Sequence, residues 1–189
     1  MTKVLVAYGT KMGATREIAT AIAEQLTQAG ADVHLTSAED AAALDRYDAL
    51  VVGSALYAGR WRPAAVDLLV RQAKTRSTIP VWLFQSGPCG EDAGGQPPAP
   101  KRVRQLAVTM GSAAPTTFGG RLELASAQGF LARRMAKGPM AGDYRDFELI
   151  RRWADGIAVH LALPVTGRTM GAIPATPSTA TNGVAHAAT

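Results

Sequence analysis

Seven residues near the start of the chain, Gly9-Thr10-Lys11-Met12-Gly13-Ala14-Thr15, combine what an anion needs from a protein. The glycines let the backbone approach closely, and the hydroxyls of Thr10 and Thr15 add donors. Ahead of them Val4 to Tyr8 is an unbroken apolar run. Behind them Arg16 to Leu26 repeats Ile18, Ala21, Ile22 and Leu26 at helical spacing. The stretch reads as buried strand, tight loop and amphipathic helix. A helix N-terminus leaves backbone N–H groups without acceptors beside the positive end of the helix dipole, a setting that suits phosphate. Neither G-x-G-x-x-G nor G-x-x-x-x-G-K-[ST] is present, and Lys11 sits in mid-loop. The chemistry indicated is therefore binding of a monophosphate by backbone and hydroxyls, not hydrolysis of a nucleoside triphosphate.

Two further loops carry unusual residues. Ser54 ends an apolar run and offers a hydroxyl to the same phosphate. Tyr57 and Trp61, among the small residues Ala55, Ala58 and Gly59, offer aromatic faces to a flat conjugated ring. Arg60 and Arg62 flank them and suit carboxylates. In Ser86 to Gly95 the glycines expose backbone amides to the polar edge of a planar heterocycle, and Cys89 reads as a spectator thiol. The three histidines, at 34, 160 and 186, lie away from all three loops. No metal-ligand spacing and no Ser-His-Asp set is apparent. Any redox chemistry must be carried by a bound cofactor.

The elements that position these loops alternate along the chain. Gly30 reads as the C-cap of the first helix, and Ala31–Leu35 as the second strand. Ala38–Leu44 reads as a short helix opened by Ser37, and Ala49–Val52 as a buried strand. A helix begins at Pro63, with Val66, Leu69, Val70 and Ala73 inward. Val81–Phe84 is a strand, Val103 to Met110 a helix, and Thr116–Gly120 a weaker strand. Phe147, Ile150, Ala154, Ile157 and Leu161 mark a closing helix. Such alternation implies a parallel sheet covered by helices on both faces, with ligands beyond the C-terminal strand ends. The three loops should therefore meet. Residues 121–145 break the repeat. From Pro164 the composition turns to Pro, Thr, Ala and Gly, so the expectation is one domain over 1–163 and a flexible tail over 164–189.

The chain has 189 residues, 47% hydrophobic and 19% charged, which places it among globular proteins. A single cysteine and the absence of a leader pattern or a long apolar run point to the cytoplasm. The formal charge of +5 favours anionic partners. Residues 121–152 hold seven basic side chains, among them Arg133, Arg134 and Lys137, against four acidic ones. That face suits an anionic substrate or peripheral contact with the inner face of an anionic membrane. Nucleic acid is not expected as a partner.

Tyr8 to Thr15 resembles the flavodoxin phosphate loop, T-x-T-G-x-T, at Thr10, Gly13 and Thr15. Met12 replaces a hydroxyl and removes one donor. Gly53-Ser54-x-x-Tyr57, followed by Gly59 and Trp61, is similar to the second flavin loop. Together with the third loop, the resemblance covers roughly residues 2–163. It implies a flavodoxin-like three-layer sandwich with a five-stranded parallel sheet in order 2-1-3-4-5, and FMN as cofactor. Thr10, Lys11, Met12, Gly13, Ala14, Thr15 and Ser54 would serve the phosphate. Tyr57, Ala58, Gly59 and Trp61 would border the ring on one side, and Gly87, Pro88, Cys89 and Gly90 on the other. Within that family the chain looks most like the menaquinone-dependent protoporphyrinogen dehydrogenases, through the second loop and the basic insertion. That likeness implies an FMN-dependent oxidoreductase passing electrons to a quinone in heme biosynthesis, and it allows a homodimer. An electron carrier between protein partners is the alternative. A response-regulator receiver is not expected, because Gly9-Thr10 and Gly53-Ser54 stand where its acidic residues belong.

Overall fold

The structure is a computed structural model that describes residues 1–75, 78–125 and 130–164. Five parallel strands form one sheet: β1 (Lys3–Gly9), β2 (Asp32–Ser37), β3 (Ala49–Ala55), β4 (Val81–Ser86) and β5 (Thr116–Phe118). Their order is β2-β1-β3-β4-β5, the order expected from the resemblance. Helices α1 (Ala14–Gln28), α2 (Pro63–Lys74) and α3 (Lys101–Thr109) connect them. A small antiparallel ribbon, β6 (Arg121–Leu122) and β7 (Gly142–Asp143), encloses the short α4 (Phe130–Met135), and α5 (Phe147–His160) follows.

The continuous apolar strands reflect burial on both faces. In β1, Val4 and Val6 pack under α1 and α5 with Ile18, Ile22, Leu26, Ile150 and Ile157. Leu5 and Ala7 point the other way, onto α2 and α3 with Leu68, Leu69, Val103 and Leu106. Each fully buried side chain of this kind contributes about 1.5–3 kcal/mol. Gly53 lies opposite Phe84 in the ladder, and a Cβ there would sit 1.9 Å from that ring. Only glycine leaves room for the central phenyl group, which also meets Phe118 at a tilt and Trp153 edge-on.

Register sets the site. Gly9 pairs with Ser54, and Ala55 with Ser86, so the C-terminal ends of β1, β3 and β4 lie side by side. β3 and β4 run beyond their apolar cores because Ser54, Gln85 and Ser86 are buried. The expected helix over 38–44 is absent. Ser37 Oγ accepts from the Asp40 N–H and closes a turn, Ala43 adopts φ +48°, and a single 3-10 turn spans Leu44–Arg46. The buried face of α2 is Ala65, Leu68, Leu69 and Gln72, about one residue round from the expected one. Val66, Val70 and Ala73 are half-buried at its edge. Ala65 docks where β1 ends at Gly9, which fixes this rotation. Asp146 caps α5 by accepting from the Leu149 N–H at 2.9 Å. The flexible-tail expectation falls, after Pro164, outside the described residues.

Candidate functional site

α1 begins without a side-chain cap. Gly13 is its N-cap at φ +88°, a conformation that favours glycine, and its N–H donates to Thr10 Oγ1 at 3.0 Å. No side chain caps the helix, and its first backbone bond runs from the Glu17 N–H to Gly13 O at 3.2 Å. The amides ahead of Glu17 therefore have no intrahelical acceptor. Thr15 is fully buried, and its Oγ1 has no hydrogen-bond partner among the described residues.

These groups open onto a cleft of about 300 Å³ at the C-terminal edge of the sheet. Thr10, Met12, Ala14 and Thr15 line it from the first loop. Leu56, Tyr57, Ala58 and Gly59 line it from the second, and Gly87, Pro88, Cys89 and Pro97 from the third. The three loops thus meet as anticipated. A fourth wall was not anticipated: Gly120, Arg121 and Leu122 of the ribbon, with Met140. Arg121 counted in the sequence only as one of seven basic residues. Its place beside Gly13 depends on a ribbon of two-residue strands, too short to leave a periodic pattern.

The second loop is a two-residue hairpin turn. Tyr57 and Arg60 exchange backbone hydrogen bonds of 2.9 and 2.8 Å across Ala58 and Gly59, both at positive φ. Tyr57 is thereby held on the cleft wall, and Trp61 is sent inward. Trp61 does not border the cleft: it is 5% exposed, packed with Leu68 and Leu83 in the core, and its Nε1–H donates to Gln85 Oε1 at 3.1 Å. Gln85 Nε2 in turn donates to Pro97 O at 2.8 Å and Thr117 Oγ1 at 3.0 Å. This buried chain ties the second loop to the third.

Ser54 also lies off the cleft wall. Its Oγ accepts from the Arg62 N–H at 2.8 Å and donates to Ala55 O, so the hydroxyl shapes the turn into α2 and has no proton left for a phosphate. Lys11 is exposed, with Nζ 5.9 Å from the centre of the Tyr57 ring. Gly90 faces Met140 behind the wall. Burial pushes the Tyr57 phenol up, against the charge of Arg62. Burial, with Asp143 nearby, also pushes the Cys89 thiol up, so it stays protonated at neutral pH and is a poor nucleophile.

An ion network pins the ribbon to α1. Glu17 accepts from Arg121 Nη2 at 2.6 Å and from Arg145 Nη1 at 2.8 Å, and Arg145 also grips Asp143. Arg145 is held above its ordinary range, chiefly by its hydrogen bond to Asp143 and despite burial. For Glu17, burial acts upward but is outweighed by the hydrogen bonds and charges of Arg145 and Arg121, so its carboxyl lies below the ordinary value. Arg133, Arg134 and Lys137 are exposed around α4 and do not line the cleft.

A family model described as "Flavodoxin domain" matches residues 5–148. Among solved structures, the rubredoxin oxygen:oxidoreductase of Desulfovibrio gigas superposes with a TM-score of 0.60 at 18% identity, covering 86% of this chain and 36% of that one. The chain thus spans about a third of that protein. Oxidised flavodoxin 1 of Bacillus cereus gives 0.56 at 13% identity, covering 84% and 99%. The flavodoxin of Streptococcus pneumoniae TIGR4 gives 0.55 at 16%, also covering 84% and 99%. At these identities the likeness is one of fold. No curated protein matches the chain.

Proposed function

We propose, since this chain belongs to the flavodoxin domain family, that its cleft holds FMN and that the protein is a redox protein. Flavodoxin-family proteins bind FMN. The observation that carries the reading here is the buried Thr15 hydroxyl without a partner, on the cleft wall at the uncapped start of α1. A buried hydroxyl left unpaired costs about 1–3 kcal/mol, and a phosphate oxygen relieves that cost. Thr10, Gly13, Ala14 and Thr15 would hold the phosphate. Tyr57, Ala58 and Gly59 would border the ring on one side and Gly87, Pro88 and Cys89 on the other, with Met12 beneath. Lys11 would screen the entrance. Bound FMN would supply two-electron and proton chemistry, while the chain's own residues bind, orient and exclude water. The apolar wall of Met12, Leu56, Pro97, Leu122 and Met140 keeps the ring's surroundings dry, which disfavours negative charge on it. The folding unit for this binding is residues 1–163. The test is the visible spectrum of the purified protein and the mass of whatever it releases on denaturation. A yellow protein releasing FMN is expected; a colourless folded protein that FMN does not turn yellow refutes the reading.

A narrower function divides two ways. The first is oxidation of a small anionic substrate, such as a porphyrinogen, with electrons passed to quinone at an anionic membrane surface. Its support is the exposed basic set Arg133, Arg134 and Lys137 beside Phe130, which is 83% exposed, all on the insertion that also supplies the fourth wall. Among the described residues no helix is long and apolar enough to cross a membrane, so such contact would be peripheral. Charge reversal at all three positions should abolish turnover of that substrate. The second is electron transfer between protein partners, for which reductive titration should proceed in separate one-electron steps.

A further inference from the structure

Arg121 enters the cleft from outside the first loop. It opens β6, and its Nη2 lies 3.9 Å from where a Cβ on Gly13, the N-cap of α1, would stand. Of the five N–H donors on a guanidinium, Glu17 takes two, from Nη1 at 3.1 Å and Nη2 at 2.6 Å. Nε is buried and has no hydrogen-bond acceptor among the described residues; Glu123 Oε2, at 3.7 Å, is too far to be one. Arg121, with donors still to be satisfied, therefore lines the same cleft as the start of α1 and as Thr15, whose fully buried hydroxyl has no partner among the described residues.

The charges point the same way. A carboxylate one turn into α1, at Glu17, would repel a phosphate at that helix end. Two guanidinium groups neutralise it, Arg121 from β6 and Arg145 from beyond β7. Arg145 spends itself on Glu17 and Asp143 and does not line the cleft, whereas Arg121 does. Glu17 acts as the positioning residue that fixes the plane of Arg121 with two hydrogen bonds. Met12, on the first loop, has no side-chain donor to give.

We infer that Arg121 is a ligand of the cofactor's phosphate, supplying charge-assisted hydrogen bonds from the ribbon to an anion held at Thr10–Thr15. Its planar fork suits phosphate oxygens, and such bonds are about twice as strong as neutral ones. The inference rests on the FMN reading above and assigns it a contact that comes from the insertion. The ribbon then closes one side of the phosphate site.

The test compares FMN with riboflavin, which has the same ring and no phosphate. Both are titrated into the wild-type apoprotein, Arg121→Gln, and Arg104→Gln on the exposed face of α3 as a control, by quenching of flavin fluorescence. Arg121→Gln should lose about tenfold or more in FMN affinity and keep its riboflavin affinity, with Arg104→Gln matching wild type on both. Arg121→Met, which keeps the aliphatic stem, serves if the glutamine variant does not fold. A ratio of FMN to riboflavin affinity that is the same in wild type and the Arg121 variants overturns the inference and leaves FMN binding standing. A folded wild-type protein that binds no FMN overturns both.

Discussion

Replacing Thr15 by valine separates folding from binding, because the two effects have opposite signs. The side chain is fully buried in the first turn of α1, and its hydroxyl has no partner among the described residues. Valine keeps the β-branched shape and removes the unsatisfied group. The apoprotein should then gain stability, by up to about 1–3 kcal/mol, the cost of a buried unpaired polar group. The difference in helix propensity between Thr and Val is small beside that. With FMN present the balance reverses. A hydrogen bond to a charged group is worth about 1.5–3 kcal/mol, so affinity should fall about ten- to a hundredfold. The assays are urea denaturation of the apoprotein and FMN titration of the same samples. A variant apoprotein less stable than wild type, or one that binds FMN as tightly, would refute the assignment of Thr15 to the phosphate.

Gly53→Ala should abolish folding or cost more than about 3 kcal/mol, since the new methyl falls on the Phe84 ring; soluble yield and the denaturation midpoint report it. Trp61→Phe strands Gln85 Oε1 in the core and should cost about 1–3 kcal/mol of stability. It should leave FMN affinity within about twofold of wild type; if the tryptophan stacked on the ring, affinity would fall instead. The ion network gives a pH dependence. Glu17 and Asp143 both lie below their ordinary values of 4.5 and 3.8, Glu17 through its two arginines against burial and Asp143 chiefly through its hydrogen bond to Arg145. Their contribution is therefore complete above those values and is lost as the pH falls through the lowered ones. The stability gap between wild type and Glu17→Gln should narrow from pH 4.5 downward; a gap that stays constant to about pH 3 would contradict the network.

The sheet was legible because strands buried on both faces leave continuous apolar runs, and Pro63 marks a helix start by a backbone rule that holds regardless of tertiary context. The convergence of three loops followed from strand order. Individual side-chain directions did not. Tyr57 and Trp61 look alike in the sequence, yet a hairpin turn at Ala58-Gly59 aims one at the cleft and the other at the core. Ser54 was read as a free donor because its acceptor role toward the Arg62 amide depends on how α2 docks. The helix assigned to 38–44 failed at Ala43, whose left-handed backbone lies outside what alanine propensity predicts. The fourth wall was hidden for a different reason. Ribbons of two residues carry no periodicity, and the Arg121–Glu17 pair joins positions far apart in the chain.

The central claim is that a phosphate sits at the start of α1. A crystal structure of the protein grown with FMN tests it most directly. The account predicts the phosphorus atom at that helix end, with oxygens about 3 Å or less from the Thr10 and Thr15 hydroxyls and the ring between Tyr57 and Pro88. Density for the flavin elsewhere, or a phosphate turned away from those hydroxyls, would contradict it.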